Sequence, residues 1–466
     1  MKRKTIRHIT SYSWSYRIAS IFVELMHRIF YRKIVVEGKN NIPKDASIVY
    51  APNHQNALMD PLAIVFTAHQ QVVFLARADI FHIPLLPGFF RWLKILPVYR
   101  IRDGKENLSN NEDSFDAAIK VLEHKRQLSL FPEAAHSNKR HLLSYKKGIP
   151  RIVFQAEEKH NFQLGIKIVP VGIYYSKYNT FRNILHVRYG KPIDVRTYKQ
   201  QYKDNPGKAM IQLRDDMKHA TEPLVINIRK LNFYDLYESA RTMYVKNMIK
   251  KMKIGKINHK NKFIADKMTI RMLDKFSDNY PDKMEEFMHK MDKYRKIRNT
   301  YKLSDQSISK EKINIFRLIW NILLLIIFSP VFLYGFINNI LLYIVPKILV
   351  MKVKDKQFHS SIKFLWALFM IIPIYLGQTA IVWAITDKLW VALLYLVSIG
   401  ITGMAAQLYI EWLALIRGDF RLYQLNQTNK KIFKRIKDLH SELLSYMDFI
   451  IDSQSTTFQN SNTRPG

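Results

Sequence analysis

Two apolar stretches, residues 364–385 and 389–410, constrain this chain more than any other feature of it. Neither carries a charged side chain. Each is close to the roughly 20 residues an α-helix needs to cross a bilayer. In lipid the backbone must satisfy its own hydrogen bonds, so such stretches are read as helices. Asp387-Lys388 between them reads as a tight external turn. A third stretch, 318–345, is apolar but interrupted by Pro330, Gly335, Asn338 and Asn339. It is long for one span and short for two, so a tilted span or a re-entrant hairpin is expected. The loop 352–356, the segment 430–435 and the N-terminal half are all basic. The positive-inside rule places all three in the cytoplasm. That arrangement favours the hairpin, because one more full crossing would put residues 352–363 outside.

The chain has 466 residues, a formal net charge of +35 and no cysteine. The charge calls for an anionic partner: lipid headgroups, a phosphorylated substrate or nucleic acid. Aromatic and apolar residues, unevenly spread, favour a membrane over nucleic acid. Without cysteine there is no disulfide framework, thiolate nucleophile or cysteine metal site. The start, Met1 to His8, is basic. Arg17, Glu24, His27 and Arg28 interrupt residues 12–30, and no small-residue cleavage site follows, so a secretory signal is not expected. Residues 14–31 instead read as a basic amphipathic helix, lying in the membrane interface or packed on the core. Five regions follow: 1–33 as that helix, 34–194 as an α/β domain, 195–313 as a basic helical extension facing solvent or headgroups, 314–415 as membrane helices, and 416–466 as a basic helix ending in a disordered tail from residue 453.

Within 34–194, apolar strand-like runs alternate with helical patterns, which argues an α/β fold. Residues 46–50 read as a buried strand. Asp60-Pro61 reads as the cap and first residue of a helix. His54 therefore falls in a loop past a strand end, where ligands bind in α/β sheets. A histidine with a carboxylate in reach has the parts of a general base and its orienting partner. Further on, Phe115, Ala118, Ile119 and Leu122 make the apolar stripe of a structural helix.

The Asn53-His54 pair followed by Asp60-Pro61-Leu62 resembles the first motif of the PlsC-like glycerolipid acyltransferases. Five residues separate His54 from Asp60, where that family usually has four. Three further matches follow in order. Arg77 follows a strand, and Arg100 fits the arginine that closes the second motif. Phe131-Pro132-Glu133 through Ser137 resembles Phe-Pro-Glu-Gly-x-x-Ser, with Ala134 in place of the glycine, so a differently shaped loop is expected. Val169-Pro170-Val171 resembles the fourth motif. His136 reads as a loop histidine.

The resemblance implies a mixed sheet flanked by helices and a membrane-bound acyltransferase of phospholipid synthesis, on the cytoplasmic membrane with its catalytic domain in the cytoplasm. It implies His54 as base and Asp60 as its partner. Arg77 and Arg100 would hold the acceptor phosphate, Glu133 would orient the acceptor, and Asn53 and Ser137 would line its site. The donor would be acyl-CoA or acyl carrier protein and the acceptor a phosphorylated glycerol. No cofactor or metal is implied. Anionic membrane lipids are expected partners and nucleic acid is not. The wider His–Asp gap leans toward glycerol-3-phosphate over 1-acylglycerol-3-phosphate. Another lyso- or amino-lipid acceptor stays open, as does a non-catalytic basic membrane scaffold.

Overall fold

The computed structural model describes residues 8–68, 70–82, 86–98 and 110–461. They form two compact units. One comprises residues 1–227 with 346–369, the other residues 228–345 with 370–466.

The first unit opens with helix α1 (Trp14–Phe30), whose N-terminus is capped by the Ser13 hydroxyl. Strands β1 (Tyr31–Glu37) and β2 (Ile48–Pro52) follow, then α2 (Met59–Val65), β3 (Val72–Arg77), α3 (Leu86–Trp92), β4 (Ile95–Val98), α4 (Asn110–Glu123), β5 (Gln127–Ser129), α5 (Gly148–Lys159), β6 (Lys167–Tyr175), β7 (Asn183–Tyr189) and β8 (Ile193–Asp194). The strands form one sheet in the order β1-β7-β6-β2-β5-β3-β4, with β8 beside β6. Pairing is parallel from β6 through β4, antiparallel between β6 and β7, and parallel between β7 and β1. The sheet is mixed, as the resemblance implied. Central β2 is buried along its whole length. An all-apolar strand is what a sheet covered on both faces demands. Gly38 ends β1 at φ +67, where an added Cβ would lie 2.1 Å from the Tyr189 carbonyl oxygen, so only glycine fits the turn.

One face of the sheet is covered by α4, through the stripe Phe115, Ala118, Ile119 and Leu122, and by α5. It is also covered by α7, the second of two helices after the sheet, α6 (Lys199–Asp204) and α7 (Pro206–Thr221). Ala209, Leu213 and Met217 of α7 are fully buried in that core. The unit therefore runs past the expected boundary at residue 194, to Asn227. Helix α7 thus completes the helical layer that α4 and α5 begin on this face.

The second unit begins with α8 (Tyr234–Lys251), α9 (His259–Asn279) and α10 (Pro281–Thr300). These helices are not a solvent-facing extension. Tyr237, Tyr244, Met248, Phe276, Phe287, Met291 and Tyr294 are buried, as are Leu443, Met447 and Ile450 of the last helix, which spans Lys430–Ser461. That helix continues through residues 453–461, where a disordered tail was expected, and Ile450, Ile451 and Gln454 on it are buried. The methionines fill the bundle core, a use that suits their flexible side chains.

Between them come α11 (Ile315–Asn338), α12 (Ile340–Met351), α13 (His359–Thr386) and α14 (Leu389–Thr428). Three helical stretches, Ile315–Asn338, Lys356–Thr386 and Leu389–Thr428, are long and apolar enough to cross a membrane, and Ile340–Met351 is a shorter apolar helix. The interrupted stretch thus divides at Asn339 into one helix of spanning length and one of half that length. Helix α11 lies along α14 with Gly335 against the Thr402 carbonyl, where a Cβ would come within 2.1 Å. Small residues let helices approach this closely. At the division, Asn339 donates to the Gly335 and Ile399 carbonyls at 2.9 and 3.1 Å, and Tyr375 donates to its side-chain oxygen at 2.7 Å. Tyr395 and Gln378 donate to the side chain and carbonyl of Asn338. The Gly335 and Asn338 carbonyls, freed where the helix breaks, are thus taken up by the Asn339 and Gln378 side chains.

Candidate active site

Strand β2 sits mid-sheet, and the chain leaves its carboxyl end at Asn53. The Asn53 side chain continues the ladder. Its amide donates to the Ile173 carbonyl at 3.1 Å, and its oxygen accepts the Ile173 N–H at 2.6 Å. Asn53 is fully buried. It therefore fixes where the next residue, His54, emerges.

His54 Nδ1 lies 2.8 Å from Asp60 Oδ2. The same oxygen accepts the backbone N–H groups of Gln55 and Asn56, each at 2.7 Å, and Oδ1 accepts the Tyr175 hydroxyl at 2.7 Å. Asp60 is 0% exposed. A carboxylate with this many donors is held as an acceptor, so the proton of the shared bond sits on Nδ1 and Nε2 is left to act as a base. The fifth intervening residue is absorbed by a tight turn in which Ala57 takes φ +37. Asp60 was expected to cap its helix. Instead α2 begins at Met59, Leu58 holds the cap position without a side-chain bond, and the Asp60 carboxylate turns back to the loop. The loop's own N–H groups claim it more effectively than the helix end does.

The segment after β5 closes the other side. The His54 ring stacks on Phe131, with centroids 4.0 Å apart, and meets the edge of His136 at 5.2 Å. Glu133 is 2% exposed. One of its oxygens accepts the His54 N–H at 3.0 Å and the other the Leu143 N–H at 3.1 Å. Burial pushes its carboxyl up to about 8, with the Asp60 charge adding to the rise, against the downward pull of those two N–H groups. Expected to orient an acceptor, Glu133 is placed so as to orient the backbone of His54. Ser137 donates its N–H to the His54 carbonyl at 3.3 Å. Ala134 takes φ +52 despite its side chain, a conformation that glycine adopts more readily.

Arg77 ends β3 and is half-exposed, bonded to Asp79. Its charge reaches His136, whose proton affinity is lowered to about 4 chiefly by burial, then by His54, with Arg77 lowering it further and Asp60 and Asp355 opposing. Arg100 lies outside the described residues. Tyr175 escaped the sequence reading, and His136 was read only as a loop histidine. Tyr175 looks like any apolar strand residue until β6 is laid beside β2. His136 shows its place only once the third motif folds over the first.

A family model described as Acyltransferase matches residues 33–174. The chain is 27% identical over 153 residues to a 1-acyl-sn-glycerol-3-phosphate acyltransferase of Borreliella burgdorferi, covering 33% of this chain and 56% of that protein. It is 26% identical over 182 residues to Glycerol-3-phosphate O-acyltransferase 2 of Saccharomyces cerevisiae, covering 37% of this chain and 24% of that protein. The chain thus spans about half the length of the first relative and a quarter of the second. The solved structure of the 1-acyl-sn-glycerophosphate (LPA) acyltransferase PlsC from Thermotoga maritima is 21% identical, with a TM-score of 0.33 over 45% of this chain and 78% of that one. Residues 33–174 thus match the Acyltransferase family model and are similar there to glycerolipid acyltransferases.

Proposed function

We propose that the protein is a membrane-bound O-acyltransferase that moves a fatty acyl group from a thioester to a hydroxyl of glycerol-3-phosphate or 1-acylglycerol-3-phosphate. The observation that carries this reading is the His54–Asp60 bond at the carboxyl end of β2. Nε2 of His54 takes the proton of the acceptor hydroxyl, and the oxygen attacks the thioester carbonyl. The tetrahedral intermediate collapses with loss of the C–S bond, and the thiolate of acyl-CoA or acyl carrier protein leaves, taking the proton from His54. Asp60 holds the ring and stabilises its transient charge. Arg77, on exchanging Asp79 for the ligand, and Arg100 hold the acceptor phosphate by paired hydrogen bonds. Asn53, Glu133 and Ser137 act through the backbone of His54 and the loop that bears it. Glycerol-3-phosphate is the favoured acceptor.

The anchor is the three long apolar helices, assisted by α1. Trp14, Ile18, Ile21 and Leu25 of α1 form an exposed stripe, with Trp14 74% and Ile18 68% accessible. An apolar face left bare beside Arg17 and Arg28 suits the headgroup boundary of an anionic bilayer. The basic loops support a site on the cytoplasmic side of the cytoplasmic membrane.

The test is acyl transfer by the full chain purified in detergent, with glycerol-3-phosphate and lysophosphatidate offered against acyl-CoA and acyl carrier protein donors. Transfer to one acceptor, lost about a hundredfold or more in His54→Ala, is expected. Equal rates in variant and wild type would remove His54 as the base. No transfer on any pairing would favour the scaffold.

A further inference from the structure

Residues 346–369, which link two of the apolar helices, belong to the compact unit that contains the sheet. They lie some three hundred residues beyond His54 in sequence. Even so, the Ser361 hydroxyl accepts the Leu58 N–H at 3.2 Å, inside the turn between His54 and Asp60. The Ser360 hydroxyl donates to the Tyr178 carbonyl, and Lys363 donates to the Asn179 carbonyl at 2.7 Å. Tyr178 in turn donates its hydroxyl to the Gln55 side chain at 2.5 Å. The Phe358 ring meets His136 edge-on, with centroids 4.9 Å apart, on a histidine that itself abuts His54. Phe364 is buried in an aromatic cluster with Phe30 and His27 of α1. Ser360 and Ser361 are buried too. A passive tether needs none of this. Buried hydroxyls aimed at a catalytic turn, and an aromatic ring seated on the neighbouring imidazole, are the supports by which a site is held to its working geometry.

We infer that Phe358, Ser360 and Ser361 are positioning residues for acyl transfer: the connector between the membrane helices holds the His54–Asp60 turn and seats His136 beside His54. The inference rests on the reading of His54 as the base. Ser361 acts through Leu58, Ser360 through Tyr178 and Gln55, and Phe358 through His136. The charged and titratable groups facing His136 are His54, Asp60, Arg77 and Asp355. Phe358 shields His136 from water among them. Its removal opens the ring to solvent and lets His136 take a proton at higher pH, putting a cation next to the base.

The experiment uses the full chain in detergent with Ser361→Ala, Ser361→Thr, Phe358→Ala and Phe358→Tyr. Rates are measured from pH 5 to 8, and deuterium exchange is followed in the peptide spanning residues 54–60. Loss of the Ser361 acceptor is expected to lower kcat about tenfold, the equivalent of one hydrogen bond, with KM within about twofold and with recovery in Ser361→Thr. Phe358→Ala is expected to raise the acid limb of the kcat profile by about one pH unit, as unburying a histidine does, and Phe358→Tyr to keep it. Both alanine variants are expected to speed exchange in residues 54–60. Unchanged kcat, pH profile and exchange would overturn the inference. Should the His54→Ala comparison defeat the base reading, exchange still decides: unaltered protection in Ser361→Ala removes the connector's hold on the turn, and faster exchange retains it.

Discussion

Replacing Asp60 separates the structural job its carboxylate performs from the catalytic one proposed for it. In Asp60→Ala the N–H groups of Gln55 and Asn56 and the Tyr175 hydroxyl lose their acceptor while remaining buried. Each such orphan costs about 1–3 kcal/mol. The costs do not add fully, and breaking a buried charged centre typically costs about 3–5 kcal/mol. For a unit of this size that lowers Tm by about 6–20 °C. Asp60→Asn is different. Its carbonyl oxygen can occupy the Oδ2 position and keep all three N–H donors, and its amide can donate to the Tyr175 oxygen. The fold then loses about 1–2 kcal/mol at most. Catalysis fares no better, because a neutral amide cannot stabilise the imidazolium, and kcat is expected to fall by about a hundredfold or more. The assay pairs intrinsic-fluorescence melting of the detergent-solubilised chain with initial rates of acyl transfer. The reasoning is refuted if Asp60→Asn melts as early as Asp60→Ala, or if it keeps more than about half of the wild-type kcat while Asp60→Ala melts normally.

Ala134 sits at φ +52, a region that costs an L-residue about 1–2 kcal/mol. Ala134→Gly should therefore raise Tm by about 1–4 °C after the entropic penalty of glycine, and a lower Tm would contradict the strain. His27 is buried and His136 half-buried, and burial lowers their proton affinities to about 3 and about 4. The unfolded chain then binds more protons than the folded one below about pH 6.5, so stability is complete above that value and declines as pH falls toward 4. Replacing His27 with Phe should flatten that decline in a pH series of melting curves, and an unchanged slope would exclude His27 as a source. Asn339→Leu removes two donors and the acceptor for Tyr375 at the break between α11 and α12. Interhelical bonds in membranes contribute about 0.6–1.7 kcal/mol, so a loss of that order is expected in thermal unfolding, with none if the break is held by packing alone.

What the sequence discloses is uneven for physical reasons. The sheet strands are legible because burial on both faces makes them solidly apolar, as in Ile48 to Ala51. His54 and Asp60 are legible because their spacing recurs in a motif. Helix α7 is not, since Ala209, Leu213 and Met217 stand among lysines and arginines whose stems and charges mask a narrow buried stripe. The cap reading of Asp60 fails for a similar reason: a local rule favours the helix end, and donors in the preceding loop outbid it. Tyr175 and Ser361 are invisible because their partners lie far off in sequence, and only the completed sheet and connector bring them together.

The divided make-up of the first unit also sets the order of its assembly. Residues 1–227 leave the ribosome well before residues 346–369, with a helix of membrane-spanning length made in between. At synthesis rates of about 5–20 residues per second, the gap lasts about 7 to 27 seconds. Throughout that interval the turn bearing His54 exists without the hydroxyl that takes up the Leu58 N–H. The nascent sheet cannot acquire its last contacts until residues 358–364 have emerged, so a chain cut short before residue 346 would carry His54 and Asp60 and still lack the finished turn.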